Sequence, residues 1–176
     1  MTGKLYTRTG DEGTTYCYFL NKRIPKDHPL MEFIGTLDEA NSHIGLARSL
    51  LPQLQEFDEL NTLLADIQRL MFKIGFLPSK PGSISENDIT WIEELIDKYY
   101  GKAPLKSFIL PGGHMAASQL HIARTVTRRA ERRLIRLVNE GLYPKLALKA
   151  INRLSDLLFA LALYVNKITG IEETPV

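Results

Sequence analysis

Between Leu120 and Arg133 the sequence reads LHIARTVTRRAERR, with five arginines and one acid, Glu131. Guanidinium groups at that density can bind a nucleic-acid backbone, hold a nucleotide triphosphate, or coat a solvated helix face. Helical spacing divides them. Arg129, Arg132, Arg133 and Arg136 follow i, i+3, i+4, i+7 and lie largely away from the apolar positions, so a solvated basic face accounts for most of them. Arg124, Arg128 and Glu131 follow i, i+4, i+7 and flank the apolar stripe, where a half-sheltered charge needs a partner. Glu131 can pair with Arg128 at i+3, for roughly 0.2–0.5 kcal/mol. That explains Glu131 well and Arg124 less well.

Two other segments carry polar groups beside an apolar stripe: Asp38, Asn41, Ser42 and Gly45 in one, Asn152 and Asp156 in another. Three matched stripes suggest a cleft or a subunit interface, since bundles build ligand sites from facing helices. A different chemistry is offered by TRTGDEGTT, from Thr7 to Thr15. Its glycines let backbone amides approach a phosphate and form an anion nest. Arg8 adds a cation, and Asp11 and Glu12 can hold a phosphate-bound magnesium directly or through water. The Gly-Lys-Ser/Thr ending of a P-loop is absent. Alone, such a stretch is most often a turn; its weight comes from occurring with the sheltered arginines.

The elements that position these groups are mostly helical. Asp27 is the expected cap of a first helix that carries Pro29 in its first turn, presents Phe33, Leu37, Ala40, Ile44, Ala47 and Leu51, and ends at Pro52. The second carries Leu60 to Ile74. LPSKPGSISEND reads as a loop, with Ser85 and Asp88 resembling a capping box ahead of a third helix from about Asn87 to Tyr100. Pro111, Gly112 and Gly113 turn into a fourth, from about His114 to Asn139, with its stripe on Ala116, Leu120, Ala123, Thr127, Ala130, Leu134 and Leu137. Gly141 and Pro144 break it, and a fifth runs on to a stop at Gly170. The expectation is an all-α five-helix bundle in a single domain, 1–176, with a flexible leader, 1–27, that holds only a short β-like run, Tyr16 to Leu20, and a helical body, 28–170.

Composition narrows the function. The 176 residues carry 22 basic and 20 acidic side chains, a balance unlike that of a nucleic-acid coat protein. One cysteine forbids an intrachain disulfide and a cysteine-rich zinc site. There is no apolar leader of the secretory kind and no bilayer-length run, so a soluble, cytoplasmic protein is expected, without membrane or nucleic-acid partners.

YTRTGDEGTT, GTLDEANSHIGLA, FILPGG, LHIARTVTRRAERR and NRLSDLLFALA occur in that order and together resemble the PduO-type ATP:cob(I)alamin adenosyltransferases, over Tyr6 to about Val165. The resemblance implies a homotrimer of five-helix bundles with interfacial sites. It implies transfer of the 5′-deoxyadenosyl group of Mg-ATP to the cobalt of cob(I)alamin, giving adenosylcobalamin and triphosphate. A reductase would supply the cob(I)alamin and a cobalamin-dependent enzyme would receive the product. Residue by residue, Thr7, Arg8, Thr9, Gly10, Thr15 and Lys26 resemble the leader's ATP contacts. Arg128 resembles the triphosphate-binding arginine, Glu131 and Arg132 belong to the same stretch, and Asn152 matches a nucleotide-contacting asparagine. Asp38 and Arg124 resemble an intersubunit ion pair. Phe108 matches the aromatic that keeps the lower axial ligand off cobalt and so favours four-coordinate cob(II)alamin. In YCYFLNKRIPK the chain departs from the family's glycine-rich pattern, which leaves Lys22 as a rival to Lys26.

Other readings stay open on the residues alone. An adaptor bundle could dock an acidic partner on the arginine helix without binding ATP. A nucleic-acid binder would show steep salt dependence. A zinc enzyme would use His114 and His121, which are i, i+7 without an evident third ligand and read better as ordinary polar residues.

Overall fold

The computed structural model describes residues 5–75, 84–105 and 107–176. Its framework is five helices: α1 (Pro29–Ser49), α2 (Asp58–Gly75), α3 (Glu86–Lys102), α4 (Met115–Asn139) and α5 (Lys145–Ile168). A single 3-10 turn, Gln55–Phe57, leads into α2. Two short antiparallel pairs accompany the helices, β1 (Thr14–Cys17) with β2 (Lys22–Pro25), and β3 (Ile109–Leu110) with β4 (Thr174–Pro175). Among the described residues no helix is long and apolar enough to cross a membrane.

Helix α4 is the central element, packed against α1 on one side and α5 on the other; α2 covers α1 and α3 covers α5. The expected α4 stripe, Ala116 to Leu137, is completely buried. Its one polar member, Thr127, donates its hydroxyl to the Ala123 carbonyl at 2.8 Å, so the hydroxyl is satisfied without leaving the core. Ala116, Ala123 and Ala130 on α4 and Ala147, Ala150 and Ala162 on α5 are fully buried, and small side chains let packed helices approach closely.

Helix ends correct the sequence reading in detail. His28, not Asp27, caps α1: its Nδ1 accepts the Leu30 N–H at 3.1 Å. His114 caps α4 in the same way, through Ala116 N–H at 3.1 Å, so this candidate zinc ligand is a cap. α1 stops at Ser49, ahead of Pro52. At the start of α3 the Asp88 carboxylate accepts the Ser85 N–H at 2.7 Å and hydroxyl at 2.8 Å, and the Lys73 ammonium at 2.8 Å ties the end of α2 to it. A cap of this kind contributes about 1 kcal/mol. The loop expected before Ser85 lies largely outside the described residues.

The larger correction concerns the leader. Its second half is a β-hairpin, with Thr15 opposite Ile24 and Asn21 in the turn at φ 48. The strand ends at Cys17, not Leu20, and pairs with a second strand, Lys22–Pro25, that the sequence pattern does not signal. Cys17 and Ile24 are both buried and join the core, so the hairpin is docked on the bundle. It lies at the end where the Phe33 and Tyr143 rings meet edge-to-face at 5.1 Å. The Tyr143 hydroxyl donates to the Gly75 carbonyl at 3.1 Å. Burial, and secondarily Cys17, pushes its phenol pKa well up.

Candidate active site

The arginines of α4 separate by partner. Arg129 pairs with Glu39 of α1, and Arg133 with Glu32 at 3.0 Å and with the Thr36 hydroxyl. These two are half-buried and link α4 to an antiparallel α1, which corrects the expectation of a merely solvated face. Arg136 pairs with Glu140 one turn on, at 2.7 Å. Arg124 turns the other way and lies over the Phe159 ring, 5.3 Å from its centroid. Its Nε is buried without a hydrogen-bond partner. Burial, and then the neighbouring Arg128, lowers its pKa. Arg128 and Arg132 remain. Both are exposed, and neither has a carboxylate partner among the described residues. Arg132 donates to the Arg128 carbonyl at 3.1 Å.

Glu131 does not pair with Arg128. It accepts from Asn152 Nδ2 of α5 at 3.0 Å. Asn152 Oδ1 in turn accepts from Arg153 at 2.6 Å, and Arg153 reaches Glu93 of α3 at 3.0 Å. Asp156, one turn beyond Asn152, has its pKa raised by burial against the opposing pull of Arg153 and Arg128. The structure thus gathers Arg128, Glu131 and Asn152 on one α4–α5 face, with Arg132 one turn along α4.

The leader forms a separate group. Gly13 N–H donates to Gly10 O at 3.2 Å and Lys26 N–H to Gly13 O at 2.9 Å, which closes the turn between Thr9 and Thr14. Thr7 and Thr9 hydroxyls lie 2.9 Å apart, and Arg8 has φ 60. A side-chain carbon at Gly10 would stand 3.1 Å from the Lys26 amine, so that amine is beside the turn; Lys22 belongs to the hairpin tip. Of the two lysines, it is Lys26 that stands beside the turn. Arg23, which sequence reasoning passed over, donates to Thr14 Oγ1 at 3.0 Å and to the Thr9 carbonyl, and braces the turn from β2.

Within one chain these groups stay apart. The hairpin lies at the Tyr143 end, whereas Arg128 is eleven residues before the end of α4, roughly 16 Å of helix. Phe108 is at the opposite end, ahead of the His114 cap, and is 88% exposed. Asp38 is exposed on α1 and, with Ile34, Asn41, Met71 and Phe72, lines a cavity of about 250 Å³ toward α2. Asn41 Oδ1 there is buried without a partner. Arg124 is on the α5 side, so the structure does not bring it to Asp38.

The protein-family model described as cobalamin adenosyltransferase matches residues 5–165. The chain belongs to that family. It is 44% identical over 174 residues to the corrinoid adenosyltransferase of Bacillus subtilis (strain 168), an alignment covering 96% of this chain and 89% of that protein. It is 43% identical over 167 residues to the corrinoid adenosyltransferase PduO of Salmonella typhimurium, covering 90% of this chain and 48% of that protein. Among solved structures, a phenylalanine-to-alanine variant of a PduO-type ATP:corrinoid adenosyltransferase from Lactobacillus reuteri, complexed with cobalamin and ATP, superposes with a TM-score of 0.88. It is 37% identical, over 98% of this chain and 99% of that one.

In this cobalamin adenosyltransferase fold His121 is the residue whose role sequence most understated. It is 3% exposed, tilted against Phe159 at 5.8 Å, and neither ring nitrogen has a partner. Burial, then Arg124, lowers its pKa from 6.5 to about 4. A folded-state pKa below the unfolded one means that the unfolded chain binds the extra proton first. The neutral ring's contribution is therefore present above pH 6.5 and is lost as pH falls toward 4. The loss amounts to about 3 kcal/mol at most. Urea midpoints measured at fixed protein concentration from pH 7 to pH 4 should fall more steeply for the native chain than for His121→Phe. Parallel curves would show that His121 does not titrate on unfolding.

Proposed function

We propose that the chain transfers the 5′-deoxyadenosyl group of Mg-ATP to the cobalt of cob(I)alamin, giving adenosylcobalamin and triphosphate, as a cytoplasmic homotrimer with its sites between subunits. The observation that carries this reading is the availability of Arg128. Its neighbours Arg129 and Arg133 are held by acids and Arg124 by a ring, while Arg128 is left open beside Glu131 and Asn152. A planar guanidinium held in no ion pair suits the multidentate oxygens of a triphosphate. The relatives' names and the cobalamin- and ATP-bound structure support the same chemistry.

Cobalt(I) is itself the nucleophile. Its electron pair forms the bond to C5′ while the C5′–O5′ bond breaks, and triphosphate departs with the electron pair of that bond. No proton has to move, so the chain needs no general base. What it must supply is alignment of C5′, compensation for charge on the leaving triphosphate, and exclusion of water. Arg128, with Arg132 a turn away, is suited to the second task, and Asn152, held by Glu131 and Arg153, to the nucleoside. Magnesium keeps several waters and takes few carboxylates. Asp11 and Glu12 are exposed in the leader and would serve as its protein-side donors, with triphosphate oxygens supplying the rest.

The separation of the hairpin from Arg128 is why we place the site between subunits: the leader of one chain would meet the α4 face of another. Phe108 would lie under the corrin and keep the lower ligand off cobalt. An anaerobic assay with cob(I)alamin and Mg-ATP tests the reaction through the adenosylcobalamin absorbance and released triphosphate. Absence of both at saturating substrates would sink the reading.

The leader makes a separate prediction. Thr14 to Cys17 are already paired in the hairpin, so nucleotide should slow amide exchange mainly over residues 7–13. Exchange there that is unchanged at saturating Mg-ATP would remove the leader from the site.

A further inference from the structure

Asn166 is an amide in an otherwise apolar stretch of α5. It is 1% exposed, and its side chain ties α5 to the Gly112–His114 turn, far back in the sequence, and to Glu173, seven residues on. Its Oδ1 accepts the N–H of the α4 cap, His114, at 2.9 Å. Its Nδ2 donates to the Gly112 carbonyl at 3.0 Å and to Glu173 Oε1 at 3.0 Å. The Asn166 carbonyl accepts the Ile171 N–H at 2.8 Å, which folds the chain back after Gly170. Gly113 makes the approach possible. It has φ +97, and a Cβ there would stand 2.3 Å from Asn166 Oδ1, well inside contact.

The segment that Asn166 holds through Glu173 continues into β4. There Pro175 faces Ile109 and Thr174 faces Leu110. Val176 N–H then donates to the Phe108 carbonyl at 3.0 Å. Phe108 itself is 88% exposed, so its ring is not placed by packing. Its position is set by its backbone, and that backbone is held by β4 on one side and by the Gly112–His114 turn on the other. Both supports lead back to one amide.

We infer that Asn166, acting with Glu173, is a positioning residue for Phe108, fixing where the ring stands rather than touching the substrate. This rests on the proposed role of Phe108 at the corrin. A hydrogen-bond hub at one end of α5 thereby sets how completely the lower ligand is displaced.

Four variants test it: Asn166→Ala, Glu173→Ala, the acceptor-preserving Glu173→Gln, and Phe108→Ala. Without ligand, the amides of Leu110 and Val176 should exchange faster in Asn166→Ala and Glu173→Ala, by about two- to tenfold for each hydrogen bond lost. Glu173→Gln, whose amide oxygen can still accept from Asn166, should restore native exchange. With saturating ATP and cob(II)alamin, the four-coordinate spectral fraction should fall in the same two variants and recover in Glu173→Gln, with ATP affinity unchanged. Glu173→Ala keeps the test valid if Asn166→Ala does not fold, because the Glu173 side chain is only partly buried. If Phe108→Ala abolishes the four-coordinate species while Glu173→Ala and Asn166→Ala leave it at the native level, the positioning role is wrong and the Phe108 reading stands. If Phe108→Ala leaves the species intact, the Phe108 reading falls and takes the positioning role with it. A loss in Glu173→Ala that Glu173→Gln does not restore also overturns the proposal, since it would trace to charge and not to the hydrogen bond.

Discussion

Arg128→Ala should lower turnover by about 30- to 1,000-fold, the loss of roughly 2–4 kcal/mol of stabilisation of the departing triphosphate. Arg128 is exposed and bonds to no other described side chain, so the substitution should leave the melting temperature nearly unchanged. Arg136→Ala is the control. It removes a guanidinium from the same helix, but one that is occupied by Glu140 at an exposed i, i+4 pair. Arg129→Ala adds a second contrast, because it should cost stability through Glu39 rather than catalysis through a phosphate. Steady-state turnover, ATP affinity and melting on the three variants separate the outcomes. Equal losses for Arg128→Ala and Arg136→Ala would show that net charge, not a particular contact, is what the substrate senses.

The second large effect concerns Asp38 and Arg124. Among the described residues of one chain neither is in a salt bridge: Asp38 is exposed on the α1–α2 side, and Arg124 has a buried Nε with no acceptor. If a neighbouring subunit supplies each with the other, removing either strands a charge in a dry interface, at about 3–5 kcal/mol. Asp38→Asn and Arg124→Gln should each impair turnover strongly, and the double variant should be little worse than the poorer single one. That non-additivity is the signature of direct contact. Mixing and reassembling the two single variants tests whether the contact crosses subunits, since some interfaces in the hybrids hold both native partners and should regain activity. Additive losses, or no recovery on mixing, would return both residues to separate roles.

How much of this could be read from the chain depends on the range of the interactions involved. The helices were legible because their apolar stripes repeat locally: every expected α4 core position from Ala116 to Leu137 is buried. The hairpin's second strand was not, because Lys22–Pro25 buries only Ile24 and carries two cations, which leaves no alternation to detect. For the α1 cap the sequence points one residue early, to Asp27, because aspartate is the commoner cap, whereas the His28 ring nitrogen is the acceptor. The stripes sorted the α4 arginines only in part: Arg124 is sheltered as its stripe implies, but Arg128 is exposed while Arg129 and Arg133 are half-buried, because their acid partners lie on another helix. Glu39 is ninety residues from Arg129, and nothing local in the sequence signals such a pairing. Asn166 was invisible for the same reason. A lone amide in an apolar stripe says that it needs partners, and only the fold shows that they are Gly112, His114 and Glu173.

Cys17 is the chain's single cysteine, and it lies 5% exposed on β1, on the side of the hairpin that faces the bundle. A thiol in that position is shielded from alkylating reagents while the hairpin is docked and reacts when it lifts. Its observed labelling rate is then the rate of a free thiol multiplied by the fraction of molecules with the hairpin raised. The chain thus carries its own gauge of a local opening equilibrium, readable by the mass of the alkylated chain without introducing a second cysteine. A nucleotide that binds only the docked hairpin must slow the labelling by the factor 1 + [L]/Kd, with L the free nucleotide.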